Sequence, residues 1–235
     1  MSLTWQLVVM AKLPRLGRVK TRLARDIRDV PAWAFYRRTM RALIRRLSVD
    51  PRWQIVLAVS PDEAVHTVGI WPAGIPRIAQ GPGDLGQRMG RLMRDLPPGP
   101  VVIIGSDIPE VELHHIERAF QALGRADAVF GPARDGGYWL VGLKRRPHVP
   151  EIFTHVRWSS PQALADTVSH LNGFKVEWLD TLDDIDTGED YRRWQNRIAR
   201  HTRRAHIPKR KIIPPKPRRR TVRSLDTWIK SGMVP

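Results

Sequence analysis

Two apolar rhythms alternate along this chain. Residues 5–11, WQLVVMA, are an apolar run too short for an ordinary helix and rich in Val, which predicts a buried first strand. A loop with Pro14 and Gly17 follows, and VKTRLARDI then reads as the start of a helix. Over 32–48, Phe35, Met40, Leu43, Ile44 and Leu47 recur at near-helical spacing with Arg between them, predicting an amphipathic helix with a basic face. QIVLAVS (54–60) and IPRIAQ (75–80) read as strands, SPDEAVHTV between them as a capped helix, and 85–96 as a helix with Leu85, Met89, Leu92, Met93 and Leu96 on one side. PVVIIGSD (100–107) is a continuous apolar run ending in Ser106-Asp107, ahead of a helix expected to open at Pro109 and close on Gly124. ADAVFGPA and YWLVGL are strands parted by the turn RDGG; helices near 160–172 and 188–205 bracket a last strand at 175–180.

This β-then-α order predicts an α/β protein. It implies a single three-layer domain, with a mostly parallel sheet covered by helices on both faces. The tight DGG turn adds a local antiparallel hairpin, so the sheet is expected to be mixed. At 235 residues and 42% hydrophobic, the chain holds one core, or a core and a small appendage. A count of zero Cys excludes disulfides, thiolate zinc sites and cysteine nucleophiles, and fits a reducing compartment. No segment approaches the ~18–20 apolar residues of a membrane span, and the first apolar run has neither a basic leader nor a small-residue cleavage site. These features point to a cytoplasmic protein that is not integral to a membrane.

Charge divides the chain. Residues 197–235 hold 13 Lys+Arg against one acid, Asp226, a net +12 that leaves only +5 of the total +17 on residues 1–196. The boundary expected from composition is therefore a catalytic or binding domain over 1–196 and a basic, Pro-containing, flexible tail over 197–235. Such a tail offers weak contact with an anionic surface or nucleic acid. Its single aromatic, Trp228, is a poor stacking platform, so an accessory tether is the better reading.

Four segments carry candidate chemistry. Asp107 ends a buried strand, where ligands bind in open α/β sheets, and a carboxylate there can hold Mg²⁺ or Mn²⁺; it can equally cap the helix expected at Pro109. The loop 11–24 sets Lys12, Arg15, Arg18, Lys20 and Arg22 around Gly17, cations placed for a polyphosphate or simply solvated; it matches neither a Walker A loop nor a dinucleotide fingerprint. Asp135-Gly136-Gly137 suits a tight turn, and Tyr138-Trp139 beside it can shape an acceptor pocket or pack in the core. In the late acidic stretch, Asp186 or Thr187 can cap the helix that follows, or Asp184 or Asp186 can meet Asp107 to complete a metal site.

Together these segments resemble a bacterial family of GT-A-like transferases loosely described as glycosyltransferases. The resemblance rests on Lys12…Pro14-x-x-Gly17-x-Val19-Lys20-Thr21-Arg22-Leu23, Gln80-Gly81…Asp84-Leu85-Gly86-x-Arg88-Met89, Gly105-Ser106-Asp107-x-Pro109 and Gly131-Pro132-Ala133-x-Asp135-Gly136-Gly137-Tyr138. Trp158-Ser159-x-Pro161 and Asp184-Ile185-Asp186-Thr187-x-Glu189-Asp190 extend it, so that it covers about residues 5–194. That family is in turn similar to sugar-nucleotide pyrophosphorylases and to the phospholactate guanylyltransferase family. The resemblance implies a Rossmann-like, GT-A-like domain that takes a nucleotide-activated small-molecule donor and an acceptor it does not specify. It implies metal ligands at Asp107 and Asp186, a nucleotide site of Lys12, Gly17, Lys20, Arg22, Gln80, Gly86 and Ser106, and catalysis by Asp107, Lys20 and Asp135. Asp135, Gly136, Gly137, Tyr138 and Trp139 would form the acceptor pocket. Glycosyl transfer from a nucleotide-sugar is the leading expectation, nucleotidyl transfer releasing pyrophosphate the alternative, and a non-catalytic nucleotide- or nucleic-acid-binding protein the third. The late block departs from the family in carrying Gly188 where Pro is usual, and the basic tail has no counterpart there.

Overall fold

In the computed structural model, which describes residues 3–205, seven strands form one sheet in the order β3-β2-β1-β4-β6-β5-β7. The strands are β1 (Trp5–Lys12), β2 (Trp53–Ser60), β3 (Arg77–Ala79), β4 (Val101–Gly105), β5 (Ala128–Pro132), β6 (Tyr138–Leu143) and β7 (Val176–Trp178). Pairing is parallel except around β6, which lies antiparallel between β4 and β5. The mixed sheet and its hairpin are therefore as the DGG turn implies.

The described residues form six α-helices: α1 (Thr21–Ile27), α2 (Asp29–Leu47), α3 (Leu85–Asp95), α4 (Leu113–Leu123), α5 (Ala163–Ser169) and α6 (Gly188–Ala205). Strand alternation decides which helix covers which face. Leu7, Val9 and Ala11 of β1 point to the side where α2 brings Met40, Leu43 and Ile44 and α4 brings Ile116 and Phe120. Val8 points to the other side, where α3 supplies Met89, Leu92 and Met93 and α5 packs Leu164 and Val168. The result is three layers, the GT-A-like arrangement.

Two elements differ from the sequence expectation. Residues 62–66 form a short 3-10 helix. Helix α4 begins at Leu113, since Ile108 and Val111 are drawn into the core and hold 108–112 as a loop. Helix α6 continues through Ala205, so the first residues of the basic segment are helical; residues 206–235, and the contacts expected of them, lie outside the described residues. Among the described residues no helix is long and apolar enough to cross a membrane.

The order β3-β2-β1-β4 reverses direction between β1 and β4. Crevices open at such switch points, beyond the carboxyl ends of the strands. Lys12 and Gly105 close those two strands, so the topology delivers the basic loop and Asp107 to one place.

Candidate active site

Asp107 emerges from β4 two residues past its end. Arg46 of α2 fixes the loop beyond it, donating to the Pro109 carbonyl (3.2 Å), the Val111 carbonyl (2.6 Å) and Glu112 Oε1 (2.6 Å). Helix α4 starts only after this loop, with His115 Nδ1 accepting from the Glu112 amide (2.9 Å). Asp107 is thus not a helix cap.

A second pair of carboxylates comes from the extended segment before α6. Ile185 is buried with Leu23, Ala32 and Phe35, while Tyr191 and Trp194 of α6 close edge-on over Phe35. In extended chain the neighbours of an inward side chain face the other way. Burying Ile185 therefore turns Asp184 and Asp186 outward together. Thr187 and Asp190 lock the helix start reciprocally: Asp190 Oδ2 accepts from the Thr187 amide (2.8 Å) and Thr187 Oγ1 from the Asp190 amide (3.2 Å). Gly188 donates its N–H to Asp26 Oδ2 of α1 (2.7 Å), a bond that the proline usual at this position cannot make.

Asp107, Asp184 and Asp186 converge, with one carboxylate oxygen from each lying within 4.8 Å of the others. Lys20 stands between two of them, its Nζ 2.8 Å from Asp107 Oδ2 and 2.6 Å from Asp186 Oδ1. Its side chain is 4% exposed and its backbone is left-handed (φ 49°), a conformation costing a non-glycine residue about 1–3 kcal/mol. Burial alone would pull the ammonium pKa down, but Asp107, Asp186 and Asp184 outweigh it and hold the pKa above its ordinary value. Asp184 shifts upward to about 7, through burial first and then Asp186, with Lys20 opposing and Asp107 and Asp135 adding to the rise. Arg22, largely exposed, approaches Asp186 Oδ2 at 3.7 Å.

Two cavities meet at this triad. One, of about 570 Å³, is lined by Lys12, Lys20, Arg22, Arg88, Gln80 and Ser106 together with the triad. Tyr36 of α2 stands in its wall, its hydroxyl accepting from the Lys12 amide (2.8 Å), donating to the Lys12 carbonyl (3.0 Å) and lying 3.1 Å from Ser106 Oγ. Burial pushes that phenol up to about 12. Gln80 spends its amide on the Ala58 carbonyl (2.8 Å), and its Oε1 accepts from Arg88 (3.3 Å), so it ties strand ends together as it lines the space.

The other cavity, of about 540 Å³, also reaches the triad and extends from it between Asp135, Gly137, Tyr138, Trp139, Trp158 and Ser159. Asp135 Oδ1 accepts from the Gly137 amide (2.9 Å), which fixes the turn. Trp139 is buried and donates Nε1 to the Asp180 carbonyl (2.9 Å), serving both core and wall. Burial drives the Tyr138 phenol pKa upward, and its hydroxyl lies 3.4 Å from Thr167 Oγ1.

Three expected site glycines line neither cavity. Gly17 sits in the loop with φ +70° and open space around it, so it serves the turn. A Cβ on Gly86 would lie 2.5 Å from the Phe153 carbonyl and 2.7 Å from Trp158, so Gly86 lets α3 pack beneath Trp158 and does not face the basic cavity. Gly136 has φ +86°, and a Cβ there would meet the Pro161 carbonyl at 2.1 Å. Tyr36, Arg88 and the pairing of Asp184 with Asp186 lay outside the sequence assignment. Only the Asp-Ile-Asp alternation hinted at the last, and nothing local marks Tyr36, which is one buried position of a helix.

The sheet order and the switch point are those of a GT-A-like transferase fold. Within it the chain belongs to the bacterial family described as "Uncharacterized protein conserved in bacteria (DUF2064)", whose profile matches residues 43–160. A crystal structure from Desulfovibrio desulfuricans G20, provisionally described as a nucleotide-diphospho-sugar transferase, is 28% identical, with 79% of this chain and 84% of that one covered at a TM-score of 0.72. The 4-diphosphocytidyl-2C-methyl-D-erythritol synthase of Anaerococcus prevotii shares the fold at 13% identity, 84% and 99% coverage and a TM-score of 0.56. Glucosyl-3-phosphoglycerate synthase of Mycobacterium tuberculosis, solved with Mn²⁺, uridine diphosphate and phosphoglyceric acid, does so at 14% identity, 88% and 80% coverage and 0.50. No curated protein matches the sequence.

Proposed function

We propose that this protein transfers a glycosyl group from a nucleoside-diphosphate sugar to an uncharged hydroxyl acceptor. The carrying observation is the charge of the two cavities: beyond the shared triad, four cationic side chains and one acid, Asp84, line the first, and Arg22 and one acid, Asp135, line the second. A diphosphate fits the first, where Lys12, Lys20, Arg22 and Arg88 balance its charge. An acceptor entering the second meets Asp107, Asp135, Asp184 and Asp186. Nucleotidyl transfer to a phosphate-bearing acceptor needs cations on that side, since the attacking group is itself anionic, and this asymmetry favours glycosyl transfer.

The donor set fits a hard divalent cation: three converging carboxylates, all oxygen, around a point where the Lys20 ammonium already rests. We assign Mg²⁺ or Mn²⁺ to Asp107, Asp184 and Asp186; when bound, such an ion supplies neutralisation of the charge that collects on a departing nucleoside diphosphate. Lys20 and Arg22 hold the diphosphate from the helix side. Asp135, stiffened by its turn, orients the acceptor hydroxyl and receives its proton, and the aromatic wall of Tyr138, Trp139 and Trp158 excludes water from the transferred group.

The test is product identity. The protein is incubated with labelled UDP- and GDP-sugars and, separately, with nucleoside triphosphates, each with Mg²⁺ or Mn²⁺. Release of nucleoside diphosphate from the sugars supports the reading; release of pyrophosphate from the triphosphates replaces it with nucleotidyl transfer, and no release from either leaves a binding protein.

A further inference from the structure

Arginine is used differently on different sides of this molecule. On the sheet's far half it pairs: Arg118 with Asp180, Arg125 with Glu177, Arg134 with Asp183, Arg157 with Asp166. In the loop before α1 and on the outer face of α2 it does not. Residues 12–48 contain twelve Lys and Arg against two acids, a net +10, so the rest of residues 1–196 carries a net −5. Among the described residues Arg15, Arg18, Arg38, Arg41 and Arg45 enter no ion pair.

Helix geometry gathers these charges. Positions 30, 34, 38, 41 and 45 of α2 follow the rhythm of one helix face, opposite the buried Phe35, Leu43 and Leu47. At its N-terminal end the stripe turns apolar: Val30 is 60% exposed, and Leu16, at the tip of the neighbouring loop, 56%. Trp33 pins that loop to α2 by donating Nε1 to the Pro14 carbonyl (2.7 Å), and Arg37 lies over its ring, 5.4 Å from the centroid. The patch therefore joins unpaired guanidinium groups to projecting aliphatic side chains.

We propose that this face docks on an anionic lipid bilayer, with Leu16 and Val30 entering the interfacial region and Arg38, Arg41 and Arg45 meeting lipid phosphates. Guanidinium groups beside exposed aliphatics match a surface that has anionic headgroups above an apolar phase. A second copy of the chain brings the same positive face, and residues 197–235 are strongly positive too, so neither neutralises it. Nucleic acid would meet the charge but offers no apolar phase to Leu16 and Val30, and the Trp33 ring is already covered by Arg37. The inference does not depend on the reaction catalysed. It has a consequence for the site, because Leu16 and Lys20 share one loop, and docking sets that loop against the lipid.

Flotation of the full-length chain with vesicles of phosphatidylcholine, with and without about one-third phosphatidylglycerol, tests it. Binding is expected to the anionic vesicles alone. The triple variant Arg38→Gln, Arg41→Gln, Arg45→Gln is expected to lose affinity on the order of a hundredfold. The double variant Leu16→Asp, Val30→Asp should lose at least about tenfold, with melting temperature and nucleotide affinity unchanged. Wild-type vesicle binding by the triple variant overturns the proposal and leaves the contact to residues 197–235. Wild-type binding by the double variant overturns it as well, reducing the patch to bulk charge. Preference of the protein for duplex RNA over anionic vesicles at equal phosphate, lost in the same arginine variant, reassigns the face to nucleic acid.

Discussion

The two cavities that meet at the acidic triad are nearly equal in volume, about 570 and 540 Å³, and share Asp107, Asp184 and Asp186. Beyond the triad they diverge. One continues into Lys12, Lys20 and Arg88, with Asp84 their one further acid, under the Tyr36 hydroxyl; the other continues into Asp135 and an aromatic wall. On the proposed reading a single acidic centre serves a polyanion on one side and a neutral group on the other, because the flanking residues, and not the triad, set the sign of what enters. Perturbations of the triad should damage both sides, and perturbations of one wall should damage one.

Asp107→Asn tests the shared centre. Turnover is expected to fall on the order of 10²–10³-fold with the circular dichroism spectrum unchanged. Turnover at the wild-type level removes the triad from the chemistry. Lys20→Met comes next, with turnover expected to fall on the order of a hundredfold. It also leaves Asp107 and Asp186 facing each other without their cation, a loss of about 2 kcal/mol once the partial exposure of both acids is allowed for, or roughly 4–8 °C in melting temperature. Mn²⁺ should restore more of that temperature in the variant than it adds to the wild type. Equal responses would show that the ion does not sit where the ammonium does.

Gly136→Ala addresses the acceptor wall alone. A methyl group there meets a backbone carbonyl at 2.1 Å in a left-handed conformation, so the turn must move. The expected cost is roughly 2–4 kcal/mol of stability, with a raised acceptor KM and unchanged nucleotide affinity. Weakened nucleotide binding in this variant would join the two cavities into one site. Tyr36→Phe is the counterpart on the donor side. It strands the Lys12 amide and Ser106 Oγ in a buried place, at about 1–2 kcal/mol, and should weaken nucleotide binding several-fold with acceptor KM unchanged.

The same division explains what the sequence could disclose. Strands β1, β2 and β4 write their burial into continuous Val, Leu and Ile runs, and once β-then-α order is recognised the switch point at Lys12 and Gly105 follows. Asp107 was legible for that reason, and Lys20 because it stands in the basic loop that follows β1. Tyr36 was not, since a tyrosine at a buried helical position looks the same whether it packs or bridges two strand ends. The helix expected at Pro109 failed on tertiary grounds: Ile108 and Val111 gain more by entering the core than 109–112 gain from one further helical turn. Gly86 and Gly136 stand in motif blocks that abut the site, and only packing distances show that they carry its walls from behind.

Gly188 gives the finest test, because sequence and structure disagree about what it does. Judged as a helix start, proline is the better first residue, and restoring it should stabilise by about 0.4–1 kcal/mol through the unfolded chain. Judged by its contacts, Gly188 gives Asp26 its N–H at 2.7 Å and packs where a Cβ would lie 2.7 Å from the Asp26 Cβ. A hydrogen bond to a charged acceptor contributes about 1.5–3 kcal/mol, so the contact term wins and Gly188→Pro should destabilise by about 1 kcal/mol. The sign should reverse in an Asp26→Gly background, where the N–H has lost its acceptor and the crowding Cβ of residue 26 is gone. Thermal denaturation of the two single variants and the double variant measures this directly. A proline that stabilises the wild-type background would mean that the tie between α1 and the segment carrying Asp184 and Asp186 does not hold those carboxylates in place.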